Sequence, residues 1–259
     1  MLTRRALLGG LTCSAALAAA PALARRRAPK VADPGRVIEQ PGLFRSSFQK
    51  IDAVKRIVGY GNFNILGFDR MILFGRNYPE HMPGGSPFRT EELELLEALF
   101  AVDARTYGFL GEKTAERLTE RIPEQDVRKV PGTGHYVYRG HSDHHLTRIN
   151  KAVGDQGYLT SGVRGLPKQF HLWMGKVIEC GMDPVKASWS LAPPGYSFHG
   201  LGDFDIGQKG LGARNFTEDF AHTEVFKRLL DLDLIELRYT RRHATGVRYE
   251  PWHVKVVSG

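Results

Sequence analysis

The chain has 259 residues, of which 42% are hydrophobic and 25% are charged, and its formal net charge is +8. No internal repeat or low-complexity tract is visible beyond the N-terminal segment, which excludes a repeat protein. The basic balance indicates an anionic surrounding, with a plain solvated surface as the alternative. A nucleic-acid partner is not predicted, because aromatic and basic residues do not interleave as a single-strand platform requires.

The first 24 residues have the pattern of a secretory signal peptide. A charged start with Arg4 and Arg5 precedes an apolar stretch, and the small-residue run Ala-Leu-Ala ends at Ala24. The arginine pair also resembles a twin-arginine signal, which predicts export in a folded state. We therefore predict an exported protein of the periplasm or cell envelope, without a transmembrane segment in the mature chain.

Cysteine usage agrees with this picture. Cys13 lies in the signal, so the mature chain keeps only Cys180 and cannot form an intramolecular disulfide. The residue before Cys13 is not the small one that a lipidated cysteine requires, so a lipid anchor is not predicted. We expect Cys180 to be a buried small residue rather than a nucleophile.

Residues 25–42 contain three prolines and predict a flexible lead. Residues 43–150 form a predicted helical region that packs on the C-terminal part rather than folding independently. Thr90 is the expected cap of a helix with apolar residues at helical spacing, namely Leu93, Leu96 and Phe100. A second short helix is predicted from Thr114 to Arg121, ending before Pro123.

A histidine-rich segment follows. His141 could share a helix face with His144 or His145, which would provide metal ligands. We favour a structural interpretation, in which Ser142 or Asp143 caps a helix near the rim of an active site. No general base is nearby. His222 and His243 have no partners in sequence, and surface or supporting roles are expected for both.

Residues 151–259 mix the two periodicities. Strands are predicted at 158–163, 235–240 and 247–249, with 252–257 at the sheet edge, and helices at 169–180 and 221–232. The helices and strands do not alternate strictly, so the sequence predicts an α+β fold with an antiparallel sheet and flanking helices.

Two short segments of this part carry potential metal ligands. His199 and Asp205 bracket Gly200 and Gly202, and glycine lets the backbone turn tightly around a small ion. Catalytic zinc sites use histidine and carboxylate ligands together with a carboxylate that activates water. The spacing alone leaves chance as an equal alternative, because the chain contains ten histidines.

The second segment is Tyr249 to His253. Glu250 precedes His253 by three residues with Pro251 between them, and proline disrupts both helices and central strands. The pair is therefore expected at a bend or a sheet edge, where Glu250 can face a metal-bound water while His253 faces the metal.

These segments resemble the SxHxxGxAxD and ExWH motifs of the VanY-type D-alanyl-D-alanine carboxypeptidases, of the LAS metallopeptidase group whose fold also occurs in hedgehog signalling domains. The segment from Ser161 to Gln169 is similar to that family's SGYRSxxxQ. The resemblance implies zinc ligands at His199, Asp205 and His253. The resemblance also implies that Glu250 is the catalytic base and that Arg164 contacts the substrate and the oxyanion. We assign either substrate binding or structural support to Gln169 and Ser197.

One departure concerns the aspartate. The family places it seven residues after the first histidine, whereas Asp205 follows His199 by six. Asp203 is therefore a competitor for the ligand role. We prefer Asp205, because its apolar neighbours match the family's context and Gly202 keeps its place after His199.

The resemblance implies a zinc-dependent D,D-carboxypeptidase that hydrolyses the terminal D-Ala-D-Ala bond of peptidoglycan stem peptides. The alternatives are an L,D-carboxypeptidase, a peptidoglycan endopeptidase, or a non-catalytic zinc-stabilised module that binds the cell wall. The presence of Glu250 disfavours the last one, since a structural zinc site needs no base. An anionic cell wall is also the simplest partner for the basic chain.

Overall fold

The structure is a computed structural model that describes residues 39–256. The predicted signal peptide and most of the predicted flexible lead lie outside these residues. Thirteen elements are numbered here in chain order. The helices are α1 Pro41–Val58, α2 Tyr60–Phe63, α3 Phe68–Asn77, α4 Thr90–Ala101, α5 His141–Val153, α6 Leu166–Glu179, α7 Pro184–Ser188 and α8 Glu224–Asp231. The strands are β1 Val127–Lys129, β2 Tyr136–Tyr138, β3 Gly157–Ser161, β4 Phe204–Gln208 and β5 His253–Val254.

Helix α1 begins at a proline, which is favoured in the first helical turn, and its buried residues recur at helical spacing. That face packs against α6, where Phe44 lies 6.5 Å from Trp173 between ring centroids. The same core includes residues of α3 and α4. The N-terminal helices and α6 therefore share one apolar core.

The strands form two antiparallel sheets. Strands β1 and β2 pair with each other, and the second sheet has the order β3-β4-β5. Residues of α5 and α8 pack on the second sheet in a separate core that includes Leu146, Phe204 and Leu229, all fully buried. The predicted α+β class with an antiparallel sheet and flanking helices is confirmed.

Several predicted boundaries shift. The helix expected from Thr90 starts there, but Arg89 occupies the cap position, and its backbone N–H donates to Glu92 at 2.8 Å. Helix α5 is preceded by Gly140 at φ 84°, so neither Ser142 nor Asp143 caps it. Ser142 instead donates to the Gly202 carbonyl at 2.9 Å.

The helix predicted from Thr114 to Arg121 is wrong. The structure has turns and extended backbone there. The backbone N–H groups of Thr114 and Ala115 both donate to the Gly195 carbonyl, at 2.8 and 3.1 Å. Tertiary hydrogen bonds thus replace the helical ones, which is a common reason why local propensity fails.

The strands predicted at 235–240 and 247–249 are also wrong. This segment contributes only an isolated bridge between Leu237 and Val254. The segment between these two predicted strands bonds elsewhere, since Leu110 donates its backbone N–H to the Thr245 carbonyl at 2.7 Å. A Cβ on Gly246 would lie 1.9 Å from the Gly108 carbonyl oxygen, so the approach requires glycine.

None of the helices that the structure describes combines the length and the apolar content that crossing a bilayer requires.

A buried ion pair joins α1 to α4. The Lys50 ammonium lies 2.8 Å from a carboxylate oxygen of Glu92, with side chains 3% and 0% exposed. Burial alone would raise the pKa of Glu92, but hydrogen bonds from Lys50 and Ser46 outweigh it and lower the pKa. Loss of either charge would leave the other buried and uncompensated.

We predict that Glu92→Ala lowers the free energy of unfolding by about 3 to 5 kcal/mol, because it leaves the Lys50 ammonium buried without a counter-ion. The folded-state pKa of Glu92 is depressed, so its stabilisation is complete above the ordinary glutamate pKa and is lost as the pH falls below it. Urea denaturation at pH 7 and pH 3 tests both points. Glu94→Gln, at an exposed position of the same helix, is the control. An equal deficit at both pH values would contradict the assignment.

Candidate metal centre and active site

Antiparallel pairing brings the predicted ligands together. Asp205 on β4 lies directly opposite His253 on β5, and Ser161 on β3 faces Asp205 from the other side. His199 lies in the turn that leads into β4. In that turn Gly202 has φ 117°, a conformation that favours glycine. The strand register therefore places residues from distant parts of the chain at one point.

His199 is held by the backbone of the segment after β3. Its Nδ1 lies 2.9 Å from the Gly162 carbonyl oxygen, which can only accept, so Nδ1 carries the proton and donates. Nε2 is then free as a ligand atom, and it lies 3.4 Å from Asp205 Oδ2. A Cβ on Gly162 would lie 2.0 Å from the Tyr136 carbonyl oxygen, so this support requires glycine.

His253 is oriented by the second aspartate. Its Nε2 donates to Asp203 Oδ2 at 3.1 Å, which leaves Nδ1 as the ligand atom, 3.2 Å from Asp205 Oδ1. Asp203 also accepts hydrogen bonds from the Arg238 guanidinium at 2.8 and 3.0 Å and from the Val256 backbone N–H at 2.9 Å. Asp203, the competitor for the ligand role, therefore orients the ligand His253 through a hydrogen bond.

The donor set fits a metal cation. Ligand atoms of His199, Asp205 and His253 all lie within 4.8 Å of one another. Asp205 Oδ1 is buried without a hydrogen-bond partner, as expected of an atom reserved for an ion. Burial alone would lower the pKa of His253, but the neighbouring carboxylates of Asp203 and Asp205 raise it to about 9. The surroundings therefore favour positive charge here, and two histidines with one carboxylate are a zinc ligand set.

Glu250 lies beside this group without belonging to it. Its Oε2 is 3.9 Å from His253 Nδ1, and the residue is 6% exposed. Burial raises the pKa of Glu250 to about 7. A carboxylate with such a pKa can accept and return a proton near neutral pH.

Arg164 also lies close to the metal ligands. Its guanidinium lies 4.0 Å from Asp205 Oδ2 and donates to Gln169 and Ser161 at 3.2 and 3.3 Å. Nε is buried without a partner, and the side chain is 9% exposed. An incompletely bonded cation at this position can receive an oxyanion or a carboxylate.

The two remaining predicted residues differ in position. Gln169 accepts from Arg164 and donates to the Ala192 carbonyl, so both ends of its amide bond within the protein. This favours the structural alternative for Gln169. Ser197 lines the cavity that contains the metal ligands.

The histidine-rich segment, residues 141–145, contributes no residue to the metal-ligand group. Among residues 39–256, His199, Asp205 and His253 form the single group arranged to hold a metal. His145 contacts the Leu234 carbonyl at 2.6 Å and the ring of Phe204. Cys180 is half-buried rather than buried.

Sequence reasoning did not identify Arg238 and Tyr239. Arg238 stacks over Phe198 at 4.0 Å while it holds Asp203, and the Tyr239 ring lies 4.7 Å from the His253 ring. Both come from the segment that was wrongly predicted as a strand. No motif marks them, and the charge of Asp203 was the one available signal for a cationic partner.

The metal ligands line a cavity of about 490 Å³, a volume typical of small-ligand sites. It runs from Trp252 past the metal ligands to Gly175 and Glu179 on α6, and Phe48 of α1 contributes to its wall. The cavity therefore extends from the metal ligands along α6.

Part of the chain is similar to known proteins. Residues 138–258 match the family model of VanY, described as D-alanyl-D-alanine carboxypeptidase. No curated protein matches the chain significantly.

Similar solved structures include VanYB in complex with D-alanine-D-alanine, with 27% identity over 53% of this chain and 81% of that one and a TM-score of 0.42. A VanY D,D-pentapeptidase mutant in complex with Zn(II) has 26% identity over 53% and 83%, with a TM-score of 0.41. The LD-carboxypeptidase LdcB has 26% identity and a TM-score of 0.40 over 48% of this chain. The present chain spans 60% of LdcB.

The matched segment contains His199, Asp205, Glu250 and His253, the residues that the fold gathers at the cavity. Residues 138–258 are therefore similar to the VanY family, described as D-alanyl-D-alanine carboxypeptidase.

Proposed function

We propose that the protein is a zinc-dependent D,D-carboxypeptidase that removes the terminal D-alanine from D-Ala-D-Ala ends of peptidoglycan stem peptides. The observation that carries this proposal is the buried, unliganded carboxylate of Glu250, 3.9 Å from a histidine that faces the metal position. A purely structural zinc site has no use for such a base. We also propose that the protein is exported and acts in the periplasm or cell envelope, as the sequence of residues 1–24 predicts.

Zinc held by His199, Asp205 and His253 would supply a Lewis acid that polarises the scissile carbonyl and acidifies water. Glu250 takes the proton from the attacking water and later passes it to the leaving amine, so no covalent intermediate is required. Its buried position keeps the carboxylate pKa near neutrality, where both transfers are feasible.

Arg164 lies 4.0 Å from Asp205 Oδ2 and lines the same cavity. Its planar guanidinium suits the oxyanion that develops on the scissile carbonyl, or a substrate carboxylate. Gln169 holds the guanidinium in place. Arg164 therefore contributes electrostatic stabilisation rather than proton transfer.

Digestion of purified muropeptides, followed by mass spectrometry, tests the function. Loss of a single D-alanine from pentapeptide stems is expected. Loss of the last residue of tetrapeptide stems would indicate an L,D-carboxypeptidase, and loss of cross-links would indicate an endopeptidase. Tight zinc binding without any cleavage would support the cell-wall-binding module.

Glu250→Gln should lower kcat on a D-Ala-D-Ala-terminated peptide by at least about 100-fold, because the variant keeps the shape of the side chain without the base. Zinc content should stay close to wild type. Arg164→Ala should also impair turnover, with part of the defect in KM if the guanidinium binds the ground-state carboxylate. Wild-type turnover in Glu250→Gln would exclude the proposed mechanism.

Purified His199→Ala and His253→Ala should each contain less than about one-tenth of the wild-type zinc, since a three-ligand site loses its geometry with one ligand. Metal analysis by mass spectrometry measures this content. His145→Ala is the matched control, because His145 bonds to a carbonyl outside the site. Full zinc content in both ligand variants would remove these residues from the site.

The two aspartates should differ in degree. Asp205→Asn should abolish zinc binding, whereas Asp203→Asn should weaken zinc affinity by about 10- to 100-fold, the usual cost of losing a group that orients a ligand. Competition with a chromophoric chelator measures both affinities. A stronger loss in Asp203→Asn than in Asp205→Asn would reverse the assigned roles.

A further inference from the structure

Lys168 is a buried cation that the proposed mechanism does not use. It lies in the first turn of α6, four residues after Arg164, and is 6% exposed. Its side chain lines the same cavity as the metal ligands, Glu250 and Arg164. Any role of Lys168 toward a ligand is therefore exercised inside the substrate cleft.

The ammonium of Lys168 has donors to spare. It donates to Asn64 Oδ1 at 2.9 Å and lies 4.2 Å from the centroid of the Tyr60 ring. An ammonium has three N–H donors, and one protein acceptor takes only one of them. Within residues 39–256, no carboxylate pairs with it, and the charged groups that act on it most are the cations Arg164 and Lys55.

The position is also unfavourable for an unpaired cation. The first turn of a helix carries partial positive charge, so a lysine there is repelled by the helix dipole as well as by Arg164. Burial and Arg164 lower the pKa of Lys168 to about 7. A bound anion would offset desolvation and repulsion together. The unpaired Nε of Arg164 shows that the neighbouring cation also lacks a full set of acceptors.

We propose that Lys168 binds a carboxylate of the substrate, separately from Arg164, and makes the cleft selective for peptides that carry a carboxylate at this position. The proposal rests on the proposed peptidase function and extends it to substrate choice. Two carboxylates of a peptide have this chemistry, namely the terminal one and that of an acidic residue before D-Ala-D-Ala.

Three synthetic peptides separate these sources. The first has glutamate before D-Ala-D-Ala, the second has glutamine instead, and the third is the first with its C-terminus amidated. Wild-type enzyme should prefer the carboxylate over the amide at one of the two positions by about 10-fold or more in kcat/KM, as a charge-assisted hydrogen bond provides. In Lys168→Met, the preference at that position should fall below about 3-fold, mainly through KM.

Lys176→Met is the matched control. Lys176 lies on the same helix and lines the same cavity, but its ammonium already pairs with Glu179 at 2.7 Å. This variant should keep the wild-type preference. Lys168→Gln retains a hydrogen-bonding group for Asn64, so it replaces Lys168→Met should the latter fold poorly in thermal unfolding.

An unchanged preference in Lys168→Met, no preference in the wild type, or an equal slowing on all three peptides would overturn the proposal. The last result would identify Lys168 as a structural tether to Asn64. If the wild type cleaves none of the peptides, the peptidase function fails instead. In that case, calorimetry measures the affinity of the zinc-loaded protein for each of the three peptides. The same preference ratios, now taken from affinities, then test whether Lys168 binds the carboxylate.

Discussion

The pairing of β4 with β5 is the interaction on which the site depends. Successive side chains of a strand alternate between faces, so Asp203 and Asp205 lie on one side while Phe204 and Ile206 enter the core. His253 stands opposite and meets one carboxylate at each ring nitrogen. A slip of one residue would turn both aspartates into the apolar core. The packing of the apolar residues therefore fixes the geometry of the polar ones.

The cavity brings together many groups that are costly to bury. Most are satisfied within the protein, as His199 is by the Gly162 carbonyl and Gln169 by Arg164 and Ala192. Asp205 Oδ1, Arg164 Nε, Thr160 Oγ1 and Arg248 Nε are exceptions, and all four residues line the cavity. A cluster of buried polar atoms without partners around one cavity is typical of a functional site.

The residues that carry short-range signals could be predicted from the sequence. His199, Asp205, Glu250 and His253 lie in compact motifs, and the structure brings all four to one cavity. The helix predicted at 114–121 and the strands predicted after residue 235 could not be placed correctly, because their backbone groups bond to distant segments. Arg238 and Tyr239 were missed for the same reason, since only the tertiary fold brings them to the metal ligands.

The hydrogen bond from the Val256 backbone to Asp203 ties the end of the described chain to the metal ligands. Asp203 accepts a hydrogen bond from His253, so hydrogen bonds through Asp203 link the backbone after β5 to a metal ligand only three residues earlier. A truncation that removes Val256 would therefore delete a hydrogen-bond donor to the carboxylate that orients a metal ligand.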